Sequence, residues 1–110
     1  MSEAQLLRSV LDALRMLPSL CHALRLNAGA TVIQTGETRR MIRGCEPGTP
    51  DILVMLDGGR CVWLELKTPN GRVTQTQRSW HALAARRGHR VVIVRTVHEA
   101  IDAVRREVSA

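Results

Sequence analysis

Asp51, Glu65 and Lys67 are the residues of this chain whose types and spacing could do chemistry. Pro50-Asp51 opens one apolar run, Asp51-Ile52-Leu53-Val54-Met55-Leu56, and Glu65-Leu66-Lys67 closes the next, Cys61 to Lys67. Two carboxylates at the ends of adjacent strands make a compact set of hard oxygen donors suited to Mg²⁺ or Mn²⁺, and the lysine places a cation beside it. An ion so held polarises a phosphate and generates hydroxide for in-line attack. Lys67 would hold the attacking water or the phosphate. The chemistry expected is therefore metal-dependent hydrolysis of a phosphodiester in a nucleic acid. Each piece alone has an ordinary explanation: Pro-Asp is a common turn, and E-x-K along a strand is often an exposed ion pair of little energetic worth. Their joint occurrence around a Gly-rich hairpin carries the information.

Whether the two carboxylates meet depends on strand register, because a slip of one residue moves a side chain to the other face. A three-residue loop of Asp57, Gly58 and Gly59 pairs Leu56 with Arg60, and counting outward sets Asp51 opposite Glu65. Such a loop needs a residue in the left-handed region, which Gly58 or Gly59 supplies. Directly opposed Cβ atoms lie about 4.5–5.5 Å apart, close enough to share one divalent ion. A two-residue loop would separate the carboxylates. Along the second strand Glu65 and Lys67 share a face, while Val62, Leu64 and Leu66 point to the other.

The elements that must position these residues follow from pattern. Ser2-Glu3-Ala4-Gln5 reads as a capping box opening a helix whose apolar positions are Leu6, Leu7, Val10, Leu11, Leu14 and Leu17, stopped by Pro18. Cys21 to Asn27 reads as a first strand ending at Gly29, and Thr31 to Thr35 as a short strand or ribbon turning at Gly36. Residues 36–50 hold three Gly, two Pro and three Arg, the composition of a mobile basic loop in which Arg39, Arg40 and Arg43 could contact phosphates. Thr74 to Arg87 reads as a helix with Trp80, Leu83 and Ala84 inward, ended by Gly88. Arg90 to Val94 reads as a buried strand and Val97 to Val108 as a last helix. The order predicts an α/β fold, a mixed sheet flanked by helices, in a single domain over residues 1–110.

Composition narrows the function classes. Sixteen Lys and Arg against ten Asp and Glu give +6 and a pI near 10.9, the balance of a chain with a nucleic-acid partner. With two Trp and neither Phe nor Tyr, rows of rings for stacking single-stranded bases are absent, so phosphates and shape would be gripped instead. Cys21, Cys45 and Cys61 lack C-x-x-C spacing, which argues for reduced thiols rather than a disulfide framework or a zinc ribbon. His22, His81, His89 and His98 are scattered without ligand spacing. No apolar run reaches the length of a membrane span and no secretory signal pattern opens the chain, so a soluble intracellular protein without a membrane partner is expected.

Four motifs in order resemble those of the VRR-NUC family of the PD-(D/E)xK nuclease superfamily. Arg25-Leu26-Asn27-Ala28-Gly29 is similar to its R-x-N-x-G, Gly48-Thr49-Pro50-Asp51 to its G-x-P-D, Glu65-Leu66-Lys67 to its E-x-K, and Gln77-Arg78-Ser79-Trp80 to its Q-R-x-F/W. The resemblance implies an αβββαβ core, Mg²⁺ or Mn²⁺ as cofactor, and DNA, branched or duplex, as substrate. It implies Asp51, Glu65, Lys67 and Gln77 as catalytic residues, with Gln77 holding the Lys67 end or the water. Asp51, Glu65, the backbone carbonyl of Leu66 and Glu3 would be metal ligands, and Arg25 and Asn27 would join Arg39, Arg40 and Arg43 in binding DNA. Glu3 matches the acid of the family's first helix; a first-turn acid is also what the helix dipole favours, and Leu7 stands where the family often has Gln. Stand-alone members of this length come largely from phages and bacteria, resemble Holliday-junction resolvases and work as homodimers. They imply a structure-selective endonuclease in the cytoplasm of a bacterial or phage-infected cell. The competing reading is a non-catalytic DNA-binding module that keeps the fold. A sequence-specific restriction-type nuclease would need a recognition domain for which the chain has no room.

Overall fold

The computed structural model describes residues 1–28 and 30–110, with Ala30, Thr31 and Arg43 described by their backbone alone. Helix α1 spans Glu3–Arg15, and its capping box forms as expected: Ser2 Oγ accepts from the Gln5 amide at 3.1 Å while Gln5 Oε1 accepts from the Ser2 amide at 2.7 Å. Leu6, Val10, Leu11 and Leu14 form its buried stripe. The strands are β1 His22–Arg25, β2 Ala30–Thr35, β3 Thr38–Arg43, β4 Ile52–Met55, β5 Cys61–Leu66 and β6 Val91–Val94, with α2 Gln75–Arg86 and α3 Val97–Ser109. Setting β2 and β3 aside, the order is αβββαβα, the expected core with one further helix.

A four-stranded sheet runs β1-β4-β5-β6, antiparallel except for the parallel pair β5–β6. A parallel pair needs a crossover, and α2 supplies it, returning from the end of β5 to the start of β6. Its N-terminus therefore lies near the Glu65 end of β5. One sheet face carries Ala23, Ile52, Val54, Val62, Leu64, Leu66 and Val94, packed with α1 and with Ala100, Ala103 and Val104 of α3 into a single core. The alternation of β4 and β5 sends Asp51, Trp63, Glu65 and Lys67 to the opposite face, where α2 lies. Trp80 meets Trp63 edge-on there, with ring centroids 5.1 Å apart.

Three expectations are corrected. Residues 36–50 are not a loop throughout: Thr38–Arg43 forms β3 and pairs with β2 in a separate two-stranded ribbon. Gly36, at φ +59°, and Glu37 make the two-residue turn between the paired Thr35 and Thr38, and Gly first is what such a tight turn favours. The ribbon stands in water on both faces, with Val32, Ile33, Met41 and Ile42 all exposed. It thus lacks the apolar–polar alternation that marks a half-buried strand. Leu83 is 43% exposed rather than inward, leaving Ala84 as the buried residue of α2. Strand β6 is only half buried, with Ile93 exposed. The last two have one cause: the single helix α2 covers only part of its sheet face.

The cysteines are free thiols, and burial pushes Cys21 above its ordinary pKa. Among the described residues no helix is long and apolar enough to cross a membrane. The hairpin between β4 and β5 is tied to the end of α3: the Arg60 guanidinium donates to the carbonyls of Glu107 at 2.6 Å, Ala110 at 2.9 Å and Val108 at 3.0 Å. These are orphan acceptors of a helix C-terminus. Arg60→Ala should therefore cost about 1–3 kcal/mol, read as a fall of several degrees in the melting temperature.

Candidate active site

The hairpin register brings the two carboxylates together. Leu56 N–H donates to the Arg60 carbonyl at 2.8 Å across the three-residue loop, in which Gly58 and Gly59 have φ of +77° and +73°. The ladder then runs Met55↔Cys61 to Ile52↔Leu64. Asp51 is the next position outward, its N–H donating to the Leu64 carbonyl at 3.1 Å. Its Oδ2 accepts from the Leu66 N–H at 2.7 Å. In an extended strand one residue's N–H and C=O point to the same side, so the Leu66 carbonyl faces the Asp51 edge beyond the last ladder pair.

Glu65 is 1% exposed and Lys67 7%. Burial, then the shared hydrogen bond with Asp51 and the repulsion of its charge, push the Glu65 carboxyl up to about 8. The Lys67 ammonium pulls it down, and Glu3, at the start of α1, adds to the rise. Helix α2 holds Glu65 from the other side. Gln77 Nε2 donates to Glu65 Oε2 at 3.4 Å, and His81 Nε2 lies 3.1 Å from Oε1. Gln77 Oε1 meanwhile accepts from the Thr74 N–H at 2.9 Å, completing the capping box that starts α2. The cap fixes which end of the amide faces the site. A glutamate could cap equally well, but would set a third carboxylate against Glu65. Burial, then the Lys67 charge, lower the His81 pKa.

Two further devices fix the frame. Gly48, at φ +94°, packs so closely on α2 that a Cβ would lie 2.7 Å from the Thr76 carbonyl oxygen and 3.1 Å from the Trp80 Cβ. The glycine of Gly48-Thr49-Pro50-Asp51 is thus what lets the Asp51 loop seat on the helix bearing Gln77. Beyond Lys67, whose N–H donates to the Val94 carbonyl at 3.0 Å, Arg95 Nη1 donates to the carbonyls of Thr68 at 2.6 Å and Gly71 at 2.8 Å. This clamps the turn that follows the lysine.

The model of the VRR-NUC domain matches residues 13–98. The chain belongs to the VRR-NUC family. Among curated proteins and solved structures nothing matches it. A VRR-NUC domain implies a nuclease-type activity with DNA as its substrate, and such nucleases typically use divalent metals. The donors here suit one: two carboxylates and a backbone carbonyl are hard oxygens, and a positive charge would favour ionisation of the buried Glu65. Among the described residues no group of three or more His, Cys, Asp and Glu side chains is placed to cage an ion. Mg²⁺ does not require such a cage, since it keeps several waters and takes one or two carboxylates from a protein.

Of the residues singled out in the VRR-NUC motifs, Asp51, Glu65, Lys67, Gln77 and the Leu66 backbone converge. Glu3, exposed and ahead of the matched segment, reaches them through its charge. Arg25 does not: opposite Ile52, it lies on the core-side face and lines a groove with Arg8, Asp12 and Arg15 of α1. Asn27 acts through its backbone, its carbonyl accepting from the Cys45 N–H at 2.6 Å at the foot of the ribbon. Arg39 and Arg40 are exposed on opposite ribbon faces. The Arg43 side chain and Gly29 lie outside the described residues. His81 was missed, because a lone histidine on a helix gives no ligand spacing; the only signal was its place one turn after Gln77.

Two predictions follow from this geometry. A carboxyl whose folded pKa exceeds its unfolded one contributes stability that is complete below the unfolded value and lost as pH rises through the folded value. The metal-free protein should therefore melt at progressively lower temperature between about pH 4.5 and pH 8, and Mn²⁺ should restore stability most at the upper end, as differential scanning fluorimetry with EDTA or Mn²⁺ would show. Gly48→Ala should cost about 1–3 kcal/mol through its left-handed backbone and the contact with Thr76, read by denaturant titration.

Proposed function

We propose that the protein is a Mg²⁺- or Mn²⁺-dependent, structure-selective DNA endonuclease acting on Holliday-junction-like branched DNA as a homodimer. The observation that carries the reading is the buried Glu65 carboxyl beside the half-buried Asp51, with Lys67 on the same face, a concentration of charge that simple phosphate binding does not call for. Asp51, Glu65 and the Leu66 carbonyl would hold the ion, which when bound supplies Lewis acidity and lowers the pKa of water. Glu65 would hold the ion as the ionised carboxylate, having released its proton to solvent. Gln77 keeps its Oε2 in place. Lys67 fixes the attacking water or a phosphate oxygen and offsets the charge that grows on the phosphate during in-line displacement.

Arg39 and Arg40 are the arginines best placed to follow the DNA backbone. The ribbon that bears them rises from the segment between β1 and β4, next to Asp51, whose carbonyl accepts from the Leu26 N–H. Contacts of this kind make affinity fall steeply with salt. A two-fold dimer has a physical rationale, since symmetric cutting of two strands needs two sites related by a dyad. A cytoplasmic setting accords with free thiols.

The test is incubation with a four-way junction and a matched linear duplex, with Mn²⁺, Mg²⁺ or EDTA. Paired symmetric nicks in the junction are expected. EDTA should abolish them, and Asp51→Ala, Glu65→Ala or Lys67→Ala should each reduce them at least ~100-fold without loss of fold. Binding without cleavage under every metal condition would leave the non-catalytic DNA-binding module instead.

A further inference from the structure

Glu65 is held at both ends. Its Oε1 faces His81 Nε2 at 3.1 Å and its Oε2 accepts from Gln77 Nε2 at 3.4 Å. The two partners lie four residues apart, hence on one face of α2, and that helix is seated on the Asp51 loop through Gly48. The His81 side chain is 15% exposed, so it is a placed partner rather than a solvated one. The first grip is accounted for by the family motif and the cap of α2; nothing in the motif requires the second.

We infer that His81 is a positioning residue that, with Gln77, fixes both oxygens of Glu65 and so makes the site select small octahedral cations over Ca²⁺. A carboxylate free to swing can offer both oxygens to a large ion of irregular coordination, as Ca²⁺ sites commonly exploit. Mg²⁺ and Mn²⁺ take oxygen ligands in a stricter octahedron. Engaging Oε1 and Oε2 separately from one rigid helix removes that swing. The inference rests on the reading of Asp51 and Glu65 as metal ligands, and it adds a residue, His81, and a property, ion selectivity, that the reading does not contain. Because His81 touches neither substrate nor reacting atoms here, its effect passes through Glu65.

The experiment is calorimetric titration of the full chain with Mn²⁺ and, separately, Ca²⁺, for wild type, His81→Ala and His81→Gln. The metal-free melting temperature of each variant serves as the check on folding. Removal of a hydrogen-bond partner from a ligand typically costs 10–100-fold in metal affinity. His81→Ala should thus weaken Mn²⁺ about 10-fold while leaving Ca²⁺ within about 2-fold, shrinking the preference, whereas His81→Gln, which keeps a hydrogen-bonding group for Oε1, should restore most of it. An unchanged ratio in a folded His81→Ala protein overturns the inference, as does an equal loss for both ions or a wild type that binds neither. Cleavage assayed in parallel separates the two readings. Selective Mn²⁺ binding without cleavage supports the inference and removes the nuclease, while robust cleavage with an unchanged ratio does the reverse.

Discussion

Burial of the Glu65 carboxyl is the constraint on which the rest of this structure turns. A carboxylate taken out of water without compensation is costly, and such a group holds its proton instead. The neighbours of Glu65 divide over that cost: Asp51 and Glu3 add to it by repulsion, Lys67 offsets its charge, and His81 and Gln77 occupy its oxygens. The result is a carboxyl whose ionisation a further positive charge would favour. The same burial makes the electrostatic interactions of Glu65 stronger than at an open surface.

Strand β5 reconciles this polar site with a small core. Its even-numbered residues, Val62, Leu64 and Leu66, are fully buried against α1 and α3, while Trp63 and Glu65 face α2. One extended segment thus supplies both the centre of the hydrophobic core and a face of the site. Mispositioning of β5 by one residue would put Glu65 into the core and an aliphatic side chain into the site, so packing and chemistry enforce the same register. The Gly58 and Gly59 turn sets that register locally, and the Arg60 contacts to the end of α3 tie it to the tertiary fold.

Much of this was legible in the sequence because it rests on local rules. The capping box at Ser2, the three-residue hairpin at Asp57 and the alternation of β5 follow from patterns with a direct physical cause, and the last two bring Asp51 beside Glu65, one step beyond the last ladder pair Ile52↔Leu64. The ribbon was missed at β3 because a strand solvated on both sides has no periodicity to betray it. The outward turn of Leu83 was missed because sequence does not reveal how much of a sheet one helix covers. His81 was missed for a different reason. Its role depends on the distance between α2 and β5, which is set by the close packing of Gly48 on α2.

The neck of the ribbon has a consequence of its own. Ala28 and Cys45 form a parallel bridge, the Cys45 N–H donates to the Asn27 carbonyl, and Gly44 is pressed against that carbonyl. The chain leaves the sheet and returns to it at nearly the same point. The sixteen residues between Ala28 and Cys45 are therefore a loop already closed at its base, mechanically separate from the carboxyl pair next to it. Insertions, deletions and changes of charge there need not displace Asp51. One stretch of chain thus carries both the exposed ribbon and Asp51, divided by a single pinch, so that the ribbon can change without moving the carboxyl pair.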